Sequence, residues 1–75
     1  MSNLPSIDGF RLIRILKRIG FEVIRIKGSH HFLRHGDGRQ TVIPAHAKET
    51  IGTGLFHKIL KDCELSVDEF ITIYK

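Results

Sequence analysis

The sequence predicts a two-layer α+β domain, in which helices cover one face of a three-stranded antiparallel sheet in the order αβββα(α). Two observations lead to this prediction. Segments with the apolar spacing of helices stand towards both ends of the chain, and alternating β-branched segments joined by glycine-containing turns lie between them. The 75 residues have room for one domain, residues 1–75. At this size only about 60% of the unfolded surface becomes buried, so the core must be built from few side chains.

The first helix is predicted between Asp8, a favoured N-cap residue, and Gly20, a favoured C-terminal stop. Apolar residues recur here at three- and four-residue spacing, at Leu12, Ile15, Leu16 and Ile19. The positions between them are basic, namely Arg11, Arg14, Lys17 and Arg18. The segment is therefore predicted to be an amphipathic helix with a basic outer face.

A first strand is predicted from Phe21 to Lys27, because this segment is rich in β-branched and aromatic residues. Its side chains alternate in the way a half-buried strand requires. The alternation puts Phe21 and Val23 on one side of the sheet and Ile24 and Ile26 on the other.

Two turns separate the three strands. Gly28-Ser29 leads into a second strand, His30 to His35, and Gly36-Asp37-Gly38 is a strong hairpin signal. The third strand is predicted from Arg39 to Ile43, and Pro44 stops it because proline cannot donate to a sheet ladder.

Two more helices are predicted after a loop from Ala45 to Gly54. The first has helical spacing of its apolar residues, at Leu55, Phe56, Ile59, Leu60 and Cys63. Ser66 with Glu69 three residues later is a capping-box pattern, so a short final helix is predicted to return Phe70 to the core. Both helices pack on the face of the sheet that the first helix covers, which leaves the other face and the turns available for function.

Composition indicates a reducing compartment and no membrane span. Cys63 is the only cysteine and cannot form an intramolecular disulfide, and the N-terminus lacks the pattern of a secretory signal. The apolar runs are far shorter than the roughly 20 residues that a membrane helix requires. We expect a cytoplasmic protein with no membrane partner.

Positive charge is concentrated in the first half of the chain. The overall net charge is +4, whereas Phe10 to Arg39 holds eight basic and two acidic residues, a local balance of +6. Such a region attracts a polyanion, with nucleic acid as the first candidate and an acidic protein as the second. Charge alone is equally typical of a solvated helix face.

Four of the five histidines lie in one short stretch around the predicted turns, at His30, His31, His35 and His46. Imidazole exchanges protons readily near neutral pH, and cleavage of RNA needs a base for the ribose 2′-hydroxyl and an acid for the leaving 5′-oxygen. A metal site is a weaker interpretation, because adjacent histidines on a strand point to opposite faces and zinc sites usually also draw on cysteine. No metal is therefore predicted.

His30 is the histidine whose position favours chemistry. It directly follows the Gly28-Ser29 turn and is preceded by Arg25 and Lys27, so cations could hold a phosphodiester beside its imidazole. By strand alternation it shares a face with Phe32, an aromatic residue able to stack on a base. Taken singly, each histidine is more often structural than catalytic.

These residues together resemble the HicA toxin family over nearly the whole chain. The resemblance rests on Gly20-Phe21, the strand end 27–32 with its Gly-Ser-His-His signature, the Pro-x-His element 44–46 and the glycine-containing segment 49–55 that leads into the second helix. The tail, residues 65–70, is also similar to the family's ending. One departure is Glu64, where relatives often have glycine before the final helix.

The resemblance implies a fold like the double-stranded RNA-binding domain and the toxin of a type II toxin-antitoxin system. Such a toxin is an endoribonuclease that cleaves mRNA without a metal or other cofactor and is held inactive by a HicB-like antitoxin. The position that matches the family's catalytic histidine is His30. The residues that we expect to bind RNA are Arg25, Lys27, Gly28, Ser29, His31 and Arg34.

Two other functions are compatible with the sequence. A non-catalytic RNA-binding module could use the same basic surface and the same fold. A protein-interaction domain could instead bind an acidic partner, and it would then lack the salt-dependent RNA affinity that phosphate contacts produce.

Overall fold

A computed structural model describes residues 4–75 of the chain. Its elements are α1 (Gly9–Arg18), β1 (Phe21–Lys27), β2 (His30–His35), β3 (Gln40–Pro44), α2 (Thr53–Asp62) and α3 (Val67–Tyr74). This is the predicted α+β order, with three helices and a three-stranded antiparallel sheet in the order β1-β2-β3. The first three residues of the predicted domain lie outside the described part. None of the described helices is both long enough and apolar enough to cross a bilayer.

Helix α1 begins and ends as its sequence predicts. The Asp8 side chain accepts a hydrogen bond from the backbone N–H of Arg11 at 2.8 Å, which satisfies one of the unpaired donors of the first turn. Gly20 follows the end of the helix. The inward side of α1 is buried, and its apolar residues there are Leu12, Ile13, Ile15 and Leu16.

Strand β1 contains a bulge that changes the predicted alternation of its side chains. The register shifts between Val23 and Arg25, so Ile24 has no partner on β2. Because one inserted residue reverses the alternation beyond it, Ile26 pairs with His31 on the same side of the sheet as Val23. The prediction that Ile24 and Ile26 share the face opposite Val23 is therefore wrong.

Strand β3 is displaced by one residue from its predicted bounds. It runs from Gln40 to Pro44, whereas residues 39–43 were expected. Pro44 is tolerated as the last strand residue because β3 lies at the edge of the sheet, where a missing N–H leaves no internal ladder bond unmade. Pro44 pairs with His30, the first residue of β2.

The core lies between the sheet and the three helices. Its fully buried side chains come from every element, and the largest are Leu12, Leu16, Phe21, Leu33, Ile43, Phe56, Ile59 and Phe70. The predicted capping box of α3 is present, with the Ser66 and Glu69 side chains each bonded to the other's backbone N–H. Glu64 adopts a left-handed conformation with a φ of 57°.

The C-terminal end of β2 is held by a hydrogen-bond network around His35. The Nε2 atom of His35 donates to the carbonyl of Ile19 at 2.9 Å, and its Nδ1 atom accepts the backbone N–H of Asp37 at 3.1 Å. The ring also packs edge-on against Phe21. These contacts use both ring nitrogens, and Nδ1 also lies 3.2 Å from the Asp37 carboxylate.

Arg39 completes this network. Its guanidinium binds the Asp37 carboxylate through Nε at 2.9 Å, donates to the Cys63 carbonyl and lies 5.2 Å from the centroid of the Phe21 ring. The hydrogen bonds from Arg39 hold the pKa of Asp37 below its ordinary value. Arg39 therefore joins the second hairpin to the helical layer.

Candidate active site on the open sheet face

The face of the sheet that the helices leave uncovered is called here the open face. On β2, Leu33 is buried beneath the helices, whereas Phe32 is half-buried and Arg34 is exposed. Since residues that pair across an antiparallel ladder share a face, the register defines three rows on the open face. These rows are Lys27, His30 and Pro44; Arg25, Phe32 and Val42; and Glu22, Arg34 and Gln40.

The turn that delivers His30 to this face depends on one glycine. Gly28 has a φ of 60°, and Ser29 after it has no positive φ, which is the pattern of a type II′ hairpin turn. An L-residue at Gly28 would be strained by about 1–2 kcal/mol in this conformation. The short turn fixes the register, so His30 stands directly opposite Lys27.

The carbonyl of Ser29 anchors the turn to the rest of the domain. It accepts the backbone N–H of Ala45 at 2.8 Å. It also accepts a hydrogen bond from Nδ1 of His31 at 3.1 Å. The turn is thereby held to the segment that follows β3 and to a side chain of β2.

Helix α1 approaches the same corner closely. A side chain at Gly9 would collide with the carbonyl oxygen of Pro44 and with the backbone of Ala45, so only glycine permits this contact. The first turn of α1 and the ends of β2 and β3 therefore form one packed unit around the His30 corner, which we define as Lys27, Gly28, Ser29, His30 and Pro44.

His30 itself is exposed to solvent. Within residues 4–75 its imidazole makes no hydrogen bond, ion pair or ring contact. An imidazole at the end of a fixed strand, with both nitrogens available to a ligand, is suited to proton transfer.

Three cationic side chains share the open face with His30. Lys27 is its direct partner, with an expected Cβ separation of about 5 Å, and Arg25 and Arg34 lie in the next two rows. All three are exposed, and none has an ion-pair partner among the described residues. The guanidinium of Arg25 lies 5.5 Å from the centroid of the Phe32 ring, which limits its freedom and places it over the aromatic face.

The structure does not bring all the predicted RNA-binding residues together. Arg25, Lys27 and Arg34 share the open face with His30. His31 lies on the opposite side, in register with the buried Ile43, and its ring packs edge-on against Phe10 of α1. Gly28 and Ser29 form the turn itself.

The residues predicted for the site do not include His46, which the structure places near the same corner. It directly follows Ala45, whose N–H binds the Ser29 carbonyl. His46 is exposed, and no described residue bonds to its imidazole. The Pro-x-His spacing was the available signal, because His30 pairs with the proline of that motif.

Cys63 is fully buried and is not part of the His30 corner. Burial, together with the nearby Asp62 carboxylate, raises the pKa of the Cys63 thiol to about 12, so it is not a nucleophile at neutral pH. In the part of the chain that the structure describes, no three His, Cys, Asp or Glu side chains are placed to hold a metal ion.

Comparison with known proteins gives one family. A sequence model described as the HicA toxin of bacterial toxin-antitoxin systems matches residues 10–65, which include all but the first residue of α1, the whole sheet and α2. The chain matches no curated protein.

Proposed function

Because the chain belongs to the HicA toxin family of bacterial toxin-antitoxin systems, we propose that it is an endoribonuclease that cleaves mRNA without a metal, with His30 as the catalytic residue. The family is the toxin half of a two-protein system, so the chain has the role of a toxin that pairs with an antitoxin.

One observation carries the proposal. His30 is an exposed imidazole without a partner among the described residues, next to Lys27 and on the same face as Arg25 and Arg34, none of which forms an ion pair with a described carboxylate. The other two histidines of the sheet, His31 and His35, have ring nitrogens bonded to backbone atoms. Only His30 in the sheet combines access to solvent, available nitrogens and neighbouring cations.

The chemistry that fits this arrangement is transfer of the phosphoryl group to the neighbouring 2′-hydroxyl. The imidazole takes the proton of the 2′-hydroxyl as its oxygen bonds to phosphorus, and the bond from phosphorus to the 5′-oxygen breaks. A proton must then reach the leaving 5′-oxygen. The products are a 2′,3′-cyclic phosphate and a 5′-hydroxyl, so no water or metal enters this step.

The cations supply the electrostatic part of the mechanism. Lys27 pairs directly with His30, and in this proposal its ammonium group stabilises the charge that develops on the non-bridging phosphate oxygens. Arg25 and Arg34 extend the positive surface along the open face, where they would hold the flanking phosphates. Phe32, in the row next to His30, offers a ring on which an unpaired base could stack.

His31 has a supporting role in this proposal rather than direct contact with RNA. Its hydrogen bond to the Ser29 carbonyl lies on the helix side of the sheet and fixes the turn that carries His30. Gly28 contributes its positive φ and Ser29 its carbonyl.

We assign a HicB-like antitoxin as the protein partner. The open face carries unpaired positive charge, so an inhibitor that covers it with carboxylates would both block access to His30 and compete with RNA. Its binding should weaken as salt concentration rises. An antitoxin that binds equally well after Lys27→Ala and Arg34→Ala substitutions would not use this face.

The decisive experiment compares His30→Ala with His57→Ala, which removes an exposed histidine from α2. Both proteins are incubated with labelled mRNA in the presence of a chelator, and their folding is checked by circular dichroism. We expect His30→Ala to lose cleavage by a factor of roughly 10²–10⁴, as removal of a general acid or base does, and His57→Ala to retain it.

Two results would contradict the proposal. Cleavage by folded His30→Ala at the parental rate would remove His30 from the mechanism. If the parent protein binds RNA in a salt-dependent manner but yields no new products, the chain is an RNA-binding module without catalytic activity.

A further inference from the structure

The helical layer carries a second cationic feature, on the other side of the domain from the open face. A groove of about 300 Å³ lies between α1 and the end of α3. We call it the arginine groove, and it is lined by Arg11, Arg14, Ile15, Arg18 and Tyr74. None of these residues belongs to the proposed active site.

The charge of the arginine groove is not compensated within the described residues. Arg11, Arg14 and Arg18 fall at positions i, i+3 and i+7, so they project from one side of α1. None of their guanidinium groups forms an ion pair with a described carboxylate. Like charges at this spacing repel one another and oppose helix formation, so an anion in the groove would stabilise α1.

One of these arginines is held in place by the core. The Arg11 guanidinium lies 5.1 Å from the centroid of the Tyr74 ring. Tyr74 in turn stacks on Phe70, which is fully buried. Arg11 therefore has restricted freedom before any ligand binds, which lowers the entropic cost of binding.

The spacing of the charges favours a ligand with repeated negative groups. With a rise of 1.5 Å per residue, Arg11 and Arg18 are separated by about 10 Å along the axis of α1. A single phosphate ion is too small to contact both ends of this row. A nucleic-acid backbone presents successive phosphates that can contact both ends of the row. Arginine also binds phosphate oxygens in a bidentate manner.

The groove offers little to a protein partner. Its apolar residue Ile15 is only 2% exposed, and Tyr74 is covered by Arg11. Stable protein interfaces need an apolar centre, and the exposed apolar side chains Phe10 and Ile26 do not line the groove.

We propose that the arginine groove is a second RNA-binding site, which holds the phosphate backbone of a strand that also passes His30. The end of α1 supports this path. Gly9 packs against Pro44, the partner of His30, and Arg11 follows two residues later, so the groove begins at the same end of the domain as the His30 corner. This inference rests on the proposed RNA-directed function. It adds that only an RNA long enough to reach both the His30 corner and the arginine groove binds with full affinity.

The test measures binding of 2′-O-methyl RNA, which has no free 2′-hydroxyl to be cleaved. Oligonucleotides of about 4 and about 16 nucleotides, the range of single-strand sites in small domains, separate the corner from the groove. The groove variant is Arg14→Gln/Arg18→Gln. The control, Lys17→Gln/Lys61→Gln, removes the same charge from exposed positions outside the groove.

We expect the groove variant to bind the long RNA roughly tenfold more weakly, with a salt dependence lowered by about 1.4 in log–log slope, or 0.7 for each lost phosphate contact. The short RNA and the control variant should change less than about twofold. Circular dichroism should show both variants folded, because the substituted side chains are exposed.

Equal weakening by the two variants would overturn the inference, because only the total charge would then matter. Unchanged affinity of the groove variant for long RNA would also overturn it, including the case in which binding of an acidic antitoxin is lost instead. Since this RNA cannot be cleaved, failure here is distinct from failure of the His30 assignment, which the cleavage assay measures.

Discussion

The two ends of strand β2 carry the same kinds of residue in opposite states. At one end, His35 has both ring nitrogens bonded, and Arg39 binds a carboxylate, a backbone carbonyl and an aromatic ring. At the other end, His30 and Lys27 are exposed and have no partner among the described residues. Each end contains a glycine turn, a histidine and a nearby cation.

This difference shows that residue type alone does not separate a functional histidine from a structural one. The His35 end uses its polar groups to join the sheet to α1 and α2, so its contacts contribute to stability. The His30 corner is held by backbone atoms and glycines, which leaves its side chains available to a ligand. Substitutions at the two ends should therefore affect different measurements.

The largest expected effect is on catalysis. His30→Ala should reduce RNA cleavage by a factor of roughly 10²–10⁴ and leave the urea midpoint of unfolding within experimental error. His35→Ala should instead lower stability and leave catalysis unchanged. It loses two hydrogen bonds and ring packing, so the free energy of unfolding should fall by about 2 kcal/mol while the folded fraction cleaves normally.

Both quantities are measured on both variants, as cleavage rate per folded molecule and as chemical denaturation. If His35→Ala lowered the cleavage rate of folded protein as strongly as His30→Ala, the two ends would not be functionally distinct.

The next effect concerns the cations at the two ends. Arg39→Ala removes a charged hydrogen bond to the Cys63 carbonyl, the pair with Asp37 and packing on Phe21. We expect a loss of about 2 kcal/mol in unfolding free energy, measured by urea titration. Lys27→Ala should change stability by less than about 0.5 kcal/mol but weaken RNA binding. Equal stability losses would show that Lys27 also has a structural role.

A smaller effect is expected at Glu64, which follows the Cys63 that Arg39 binds. Its φ of 57° lies in the left-handed region, which costs a residue with a Cβ atom about 1 kcal/mol relative to glycine. Glu64→Gly should therefore raise the free energy of unfolding by up to about 1 kcal/mol without changing cleavage. A lower thermal midpoint for this variant would mean that the Glu64 side chain contributes more than its backbone conformation costs.

The smallest expected effect is a pH dependence of stability at the His35 end. The pKa of Asp37 is lowered in the folded protein by its hydrogen bonds with Arg39. This carboxylate therefore stabilises the fold above its unfolded pKa, and the contribution is lost as pH falls through the lower folded value. Asp37→Asn should be less stable than the parent at pH 7 and approach it in strong acid. The check is a pair of urea titrations, and a difference that persists in acid would exclude the ion pair as its cause.

Most of the fold follows from local sequence signals. Asp8, Gly20 and the Ser66–Glu69 capping box mark real helix ends, and the two turn signals mark real hairpins. The bulge at Ile24 had no such signal, because no glycine or proline marks it, and it reverses the alternation that follows.

For the site, alternation correctly separated His30 from His31, since the two pair with residues on opposite faces of the sheet. The sequence could not show that His35 is bound to Ile19, because that contact joins residues sixteen positions apart. Nor could it show that the Arg25 side chain lies over Phe32, which depends on the shifted register beyond the bulge.

The Ser29 carbonyl accepts two hydrogen bonds, and these determine which segments must separate when the His30 corner opens. Because it accepts both the Ala45 amide and the His31 ring, detaching the turn requires the end of β3 to separate as well. Hydrogen exchange at the Ala45 amide should then be as slow as in the core strands, which open only in global unfolding. On release from an inhibitor, such a corner would be ready to act without any refolding step.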